Sequence, residues 1–303
     1  MSEHFIKNIE IDNFKCFNSF KAEGFKRVNL IGGKNNVGKT AFMEACYINV
    51  ETNSSLALME IIEGRYLSDF FGELVKEVGF KYIVNLIEKK SKKFNDAFIS
   101  SNLKKLNILY EKDNINEEKQ KNIFYMDSYR TGSEDLDILY AEILENRLES
   151  KIDMALNKFD NNLDSFRIMN SEAKCSVVNG SFRNVNEFGD GVYRYITYLC
   201  IFYSIKKGII FIDEIENGIH YTKFDEMWKM ILQLSEENDV QVFATTHSKE
   251  CIESYVKISK ELEDEDTTYI KITKLKNNTI IAGVRDYNML QDIIDEAHEV
   301  RGW

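Results

Sequence analysis

Gly33-Lys34-Asn35-Asn36-Val37-Gly38-Lys39-Thr40 decides how this chain is read. It meets the pattern G-x-x-x-x-G-K-[ST] at each fixed position. Before it, Arg27-Val28-Asn29-Leu30-Ile31 reads as a short buried strand; after it, Thr40-Ala41-Phe42-Met43-Glu44-Ala45-Cys46 reads as the first turns of a helix. A strand feeding a glycine turn that opens a helix gathers several backbone N–H groups around one point. The helix dipole adds partial positive charge there. Such a cradle, running from Gly33 to Ala41, suits the β- and γ-phosphates of a nucleotide. Lys39 would reach those phosphates as a point charge, and the Thr40 hydroxyl would ligate Mg²⁺.

Composition narrows the class. A chain of 303 residues holds one large α/β domain or two small ones. With 44% hydrophobic and 12% aromatic residues it can bury a sizeable core. No apolar run approaches the ~18–20 residues of a membrane span. Met1-Ser2-Glu3-His4 lacks the basic-then-apolar pattern of a signal peptide. The cysteines at 16, 46, 175, 200 and 251 are scattered without a C-x-x-C. That spacing points to a reducing cytoplasm and away from a disulfide framework or a zinc site. The net charge of −11 disfavours nucleic acid as a whole-surface partner and leaves room only for a local patch. Proline is absent, so Gly, Asn and Asp must shape the loops.

Strands are expected over 5–11, 17–23 and 28–32, with Asn13-Phe14-Lys15-Cys16-Phe17 between the first two. This opening resembles the N-terminal lobe of the ABC-type ATPases, the group of the structural-maintenance-of-chromosomes (SMC) proteins, RecF and the overcoming-lysogenization-defect nucleases. In that group a strand ending in N-F-[KR]-x-F precedes a phosphate loop of the form G-x-N-N-x-G-K-[ST]. The resemblance implies an α/β head with a mixed sheet, flanking helices and an inserted helical lobe, the whole of 1–303 forming a single ATPase domain.

Residues 54–121 carry the three- and four-residue spacing of helices and stand where the family inserts its lobe. Lys89, Lys90, Lys92, Lys93, Lys104 and Lys105 cluster there. They read as a solvated helix face, or else as a surface for an acidic partner or a nucleic-acid backbone. Ile123–Asp127 returns to strand character. The loop after it holds Arg130, where similar ATPases carry a polar loop with an arginine; it reads as a surface arginine, or else as one facing the nucleotide site. A long helix is expected over 134–158, with short strands at 163–169 and 174–178. Asn157-Lys158-Phe159-Asp160 spells the guanine-reading N-K-x-D. It falls at the end of a helical run, where that motif does not work, and no D-x-x-G follows the phosphate loop at a GTPase-like distance.

The second half carries the remaining chemistry. Glu187-Phe188-Gly189-Asp190-Gly191 opens an apolar helix, a second ready anion site. Gly208-Ile209-Ile210-Phe211-Ile212 is a strand buried on both faces, and Asp213 and Glu214 emerge at its C-terminal end. By resemblance, Asp213 would complete the Mg²⁺ shell with Thr40, and Glu214 would polarise the attacking water. Gly189, Asp190 and Gly191 would be the signature motif, capping the γ-phosphate held by a second copy. Glu187 stands where a serine is common. Ile215–His220 would be the loop along the dimer interface, and His247, after the strand Val240–Ala244, the switch histidine that senses the γ-phosphate. Ser248 suits an N-cap. The acidic run 261–266 reads as a solvated turn, followed by a hairpin and a closing helix over 287–300. A Q-loop glutamine is not identified, since Gln120 precedes its strand.

The implied activity is hydrolysis of ATP to ADP and phosphate with Mg²⁺, catalysed by Lys39, Glu214 and His247 in a homodimer or higher homo-oligomer. Its expected use is control of a separately encoded effector, such as a nuclease, in prokaryotic antiviral defence. No acidic constellation is left over for a built-in nuclease module of the kind that the overcoming-lysogenization-defect proteins carry. The alternatives are a RecF- or SMC-like ATPase acting on DNA and a small-molecule kinase, which would give Gly189–Gly191 and His247 no work. No membrane partner is expected.

Overall fold

Ile209-Ile210-Phe211-Ile212 is buried at every position because both its faces are covered. The chain folds in layers around that strand. The structure is a computed structural model and describes residues 2–51, 57, 61, 97–107, 122–128, 133–178, 180–289 and 294. In order these form β1 (Asn8–Phe14), β2 (Phe17–Glu23), β3 (Val28–Gly32), α1 (Lys39–Val50), β4 (Phe98–Ser101), β5 (Lys105–Asn107) and β6 (Ile123–Met126). Then come α2 (Ser133–Glu145), α3 (Glu149–Phe159), β7 (Leu163–Met169), β8 (Glu172–Val177), β9 (Phe182–Asn184), α4 (Asp190–Ser204) and β10 (Ile209–Ile212). The rest comprises α5 (Phe224–Glu237), β11 (Gln241–Thr245), α6 (Lys249–Glu261), β12 (Thr267–Lys274) and β13 (Ile280–Asp286).

The central sheet runs β13-β12-β3-β11-β10-β6, parallel except for the antiparallel edge strand β13. Parallel strands need crossovers, so both faces are covered. Successive side chains alternate between the faces. Val28, Leu30, Ile210, Ile212, Val242 and Ala244 join one apolar core with the buried faces of α2 to α6. Ile31, Ile209, Phe211, Phe243 and Ile270 join a second with α1 and the antiparallel sheet β2-β1-β4-β5. There Phe211 stacks on Phe243 with ring centroids 5.5 Å apart. A third, antiparallel sheet, β7-β8-β9, lies among the helices. No helix among the described residues is long and apolar enough to cross a membrane.

Four expectations change. Residues 98–107 are a hairpin, not helix: β4 pairs with β1 through Ile9↔Ser101 and Ile11↔Ile99 and places Ile99 in the core. Pairing with an existing strand outweighs the helical spacing. The helix expected over 134–158 is two. Arg147 takes a left-handed φ of 55°, and Leu148 N–H reaches back to Ile143 O at 3.0 Å. This is a Schellman stop made without glycine. The acidic run is not all solvated: Asp264 pairs with the buried guanidinium of Arg27, which also donates to Leu232 O at 2.9 Å. β9 was not expected at all. Lys89, Lys90, Lys92, Lys93, Gln120 and Arg130, most of the 54–121 stretch and most of the closing helix lie outside the described residues. Asn157–Asp160 does end a helix, α3, and Asn157 Nδ2 donates to Leu163 O at 2.9 Å, a structural role.

Phe211→Ala removes the ring shared by the central stack, so its unfolding free energy in urea should fall by about 3–5 kcal/mol. A loss within the range of a surface substitution would mean that the stack is not the centre of this core.

Candidate nucleotide site

Three parallel strands, β3, β11 and β10, end at one edge of the sheet, where ligands bind in open α/β folds. The segment Gly33–Gly38 leaves β3 and enters α1, with Lys39, Thr40 and Ala41 in its first turn. Gly38 is the N-cap and has a φ of 103°, and a Cβ there would lie 2.7 Å from Cys16 Sγ. Only glycine fits both constraints. Val37 is buried, while Lys34, Asn35 and Asn36 are exposed. The Lys39 ammonium lies over the loop and donates to Gly33 O at 2.9 Å and Lys34 O at 3.0 Å. Burial pulls its pKa below the ordinary value, while the nearby Glu216, Asp213 and Glu214 carboxylates support its charge.

Asp213 follows β10 and is 2% exposed. Thr40 Oγ1 donates to its carboxylate, at 3.2 Å from Oδ1 and 3.1 Å from Oδ2. Thr245 Oγ1, at the end of β11, donates to Oδ1 at 2.5 Å. A hydroxyl and a carboxylate are hard oxygen donors of the kind that Mg²⁺ takes. Among the described residues, no three His, Cys, Asp or Glu side chains converge to hold a metal by themselves. That set suits Mg²⁺, which binds through one or two protein oxygens together with substrate phosphates and water.

Glu214 takes a left-handed φ of 50°. A non-glycine residue held there carries roughly 1–2 kcal/mol of backbone strain. Its N–H donates to Thr245 Oγ1 at 2.8 Å, and Asn217 Nδ2 donates to its Oε2 at 2.7 Å. Asn217 Nδ2 also reaches Ser128 O at 3.2 Å. Glu214 is half-buried, unlike its two acidic neighbours.

His247 follows β11, and its ring is half exposed. Its Nδ1 lies 3.0 Å from Glu216 Oε1, and its backbone N–H donates to the same oxygen at 2.8 Å. The bond to Glu216 raises the His247 pKa, burial lowers it, and the net shift is upward. For Glu216, burial works against the charge, but the bonds from His247 prevail and hold the carboxyl below its ordinary range. Ser248 does cap α6, its Oγ accepting Cys251 N–H at 3.2 Å.

Lys39, Thr40, Asp213, Glu214 and His247 thus gather at one sheet edge. Gly189, Asp190 and Gly191 form a separate feature at the start of α4. Gly189 and Asp190 are exposed, and Gly191 packs so closely on the turn after Glu216 that a Cβ would lie 2.8 Å from Gly218 O. Arg194 of α4 is buried and donates to Asp127 O at 3.3 Å and Ser128 O at 2.6 Å. The sequence reading missed Thr245, Asn217 and the buried state of Glu216. A hydroxyl closing the apolar run Val242-Phe243-Ala244, and a third acid two positions after Glu214, were the available signals.

Solved structures share this architecture. An SMC head bound to the C-winged helix domain of ScpA superposes with a TM-score of 0.52 at 13% identity, covering 95% of this chain and 100% of that one. The SMC head domain from Thermotoga maritima gives 0.50 at 12% identity, covering 93% and 98%. Fold and site together define a P-loop α/β head with the architecture of these SMC domains, its phosphate loop and acidic strand end meeting at one edge of the sheet. A curated relative, the "ATP/GTP phosphatase" of Helicobacter pylori, is 24% identical over an alignment covering 91% of this chain and 94% of its own. The family described as "AAA domain, putative AbiEii toxin, Type IV TA system" matches residues 47–253, more than half of the chain, and the chain belongs to it.

The His247–Glu216 pair has a defined pH window. On the histidine side its contribution is whole below the ordinary value of 6.5 and fades as pH climbs through the raised one. On the carboxylate side it is whole above the ordinary 4.5 and fades as pH falls through the lowered one. His247→Ala should therefore lower Tm most between about pH 5 and 6 and much less at about pH 9. A Tm difference that stays constant across that range would mean that the ring is not paired.

Proposed function

We propose that this ATPase binds ATP with Mg²⁺, closes head-to-tail around two nucleotides, and uses the cycle to control a separately encoded effector in prokaryotic antiviral defence, within the cytoplasm. The observation that carries the nucleotide half is the Thr40–Asp213 contact at 3.1 Å, with Lys39 beside it. It brings the phosphate loop and the acidic strand end into one site.

In this reading the backbone N–H groups of Gly33–Ala41 cradle the phosphates. Lys39 exchanges its two loop carbonyls for β- and γ-phosphate oxygens. Thr40 and Asp213 would hold Mg²⁺, which when bound supplies charge neutralisation at those oxygens. Glu214, oriented by Asn217, takes a proton from a water whose oxygen attacks the γ-phosphorus. The bond to the bridging oxygen breaks, and its electron pair leaves on the β-phosphate of ADP. His247 contacts the γ-phosphate.

Closure draws support from Gly189 and Asp190, exposed at the start of the 15-residue helix α4. An exposed helix N-terminus suits a phosphate held by a second copy. The effector draws support from the family's description, which names a toxin of a TA system. The cytoplasmic setting draws support from the five cysteines, all unpaired, four of them buried.

Mass measurement with ATP and Mg²⁺ tests the reading. Glu214→Gln should cut turnover by about 100-fold or more and accumulate as an ATP-dependent dimer. Lys39→Ala should lose ATP binding and stay monomeric. The effector, encoded beside the gene, should co-migrate with the trapped dimer. Full turnover by Glu214→Gln, or a dimer indifferent to ATP, would overturn the mechanism. A trapped dimer without a co-migrating protein would overturn the effector.

A further inference from the structure

Glu216 is an expensive residue. It is 8% exposed, its Oε2 is buried without a hydrogen bond among the described residues, and its Oε1 serves a single turn. That oxygen accepts the backbone N–H groups of His247 at 2.8 Å and Ser248 at 3.2 Å, and it faces the His247 ring Nδ1 at 3.0 Å. A desolvated carboxylate with one oxygen unsatisfied is destabilising unless its remaining contacts offset the loss. Here all three contacts go to the turn that carries His247. Fixing the backbone alone would need only two of them.

The third contact has a chemical consequence. A ring nitrogen that faces a carboxylate carries the proton, so Nδ1 is the N–H. A neutral ring protonated at Nδ1 has only a lone pair at Nε2, and a lone pair cannot donate to a phosphate oxygen. Only the imidazolium donates from both nitrogens. We infer that Glu216 is a positioning residue that locks His247 in its Nδ1–H form, so that the ring can meet a γ-phosphate only when doubly protonated, and turnover is gated by that proton. This rests on the proposed placement of His247 at the γ-phosphate.

The charges around the ring agree with the geometry. Glu216 and Glu214, from the segment after β10, favour the imidazolium; Lys39, from α1, opposes it; the net effect is upward. Arriving triphosphate adds negative charge and engages Lys39, which strengthens the same bias.

Two measurements decide. Side-chain ¹⁵N NMR of the wild-type protein, with His247→Ala for assignment among the four histidines, should show neutral His247 protonated at Nδ1. The reverse tautomer, the commoner one for a free ring, would overturn the inference whatever Glu216→Gln does to folding. Single-turnover ATP hydrolysis against pH should fall on its alkaline limb by about tenfold per unit, at the pH where that ring titrates. Glu216→Gln should move this limb down by about one unit or more, giving a deficit of about tenfold near pH 8.5 that narrows toward pH 6, with ADP affinity unaltered. An unmoved limb would overturn the lock. His247→Ala with full turnover would instead overturn the placement of His247 at the γ-phosphate, whatever the tautomer proves to be.

Discussion

Asp213 is a charge buried at the seam of three elements. Its carboxylate takes hydroxyl protons from Thr40, at the start of α1, and from Thr245, at the end of β11, while its own N–H is bonded to Met126 O of β6 at 2.8 Å. An unpaired carboxylate in this position would cost several kcal/mol. The strands therefore have to stop where these hydroxyls can reach it. Parallel pairing provides that, since Ile212, Ala244 and Leu30 stand side by side across β10, β11 and β3. The register of the sheet and the position of the phosphate loop are thus one constraint.

From that seam the order spreads outward along hydrogen bonds. Thr245 does double service: its hydroxyl donates to Asp213 and accepts the N–H of Glu214, whose left-handed backbone would otherwise be harder to hold. Asn217 links the Glu214 carboxylate to Ser128 O, and Arg194 donates to the same carbonyl from α4. Tyr198, one turn further along α4, donates to Ile215 O at 3.0 Å. The helix that begins with Gly189–Gly191 is consequently fastened, within one chain, to the segment that carries the acids. α4 and Glu214 are thus linked through the buried Arg194 guanidinium, the Ser128 carbonyl and the Asn217 amide.

Much of this was legible beforehand, and the reasons are local. The phosphate loop is readable because its glycines and its lysine are fixed by backbone geometry and phosphate charge. β10 and β11 are readable because strands buried on both faces carry short runs of consecutive apolar residues, Ile209–Ile212 and Val242-Phe243-Ala244. The hairpin β4–β5 was hidden because Phe98–Ser101 is a strand only by virtue of β1 beside it. The stop between α2 and α3 was hidden because Arg147 does what glycine usually does. Thr245 and Asn217 were hidden for a different reason. Hydroxyl and amide side chains acquire meaning only from the partner that the fold brings to them, and those partners lie 32 and 3 positions away.

Three acids stand within four positions, and the fold gives each a different environment. Asp213 is buried and already accepts hydroxyl bonds from Thr40 and Thr245, a setting of hard oxygens that suits a cation better than proton transfer from water. Glu216 is enclosed and spends one oxygen on the His247 turn. Glu214 alone is half-buried, held by an amide donor on Oε2. A general base must meet solvent-derived water and must not be neutralised by its own supports. Of the three, only Glu214 satisfies both conditions. The proposal that Glu214 is the base is supported by how the neighbours divide the remaining carboxylate oxygens among themselves.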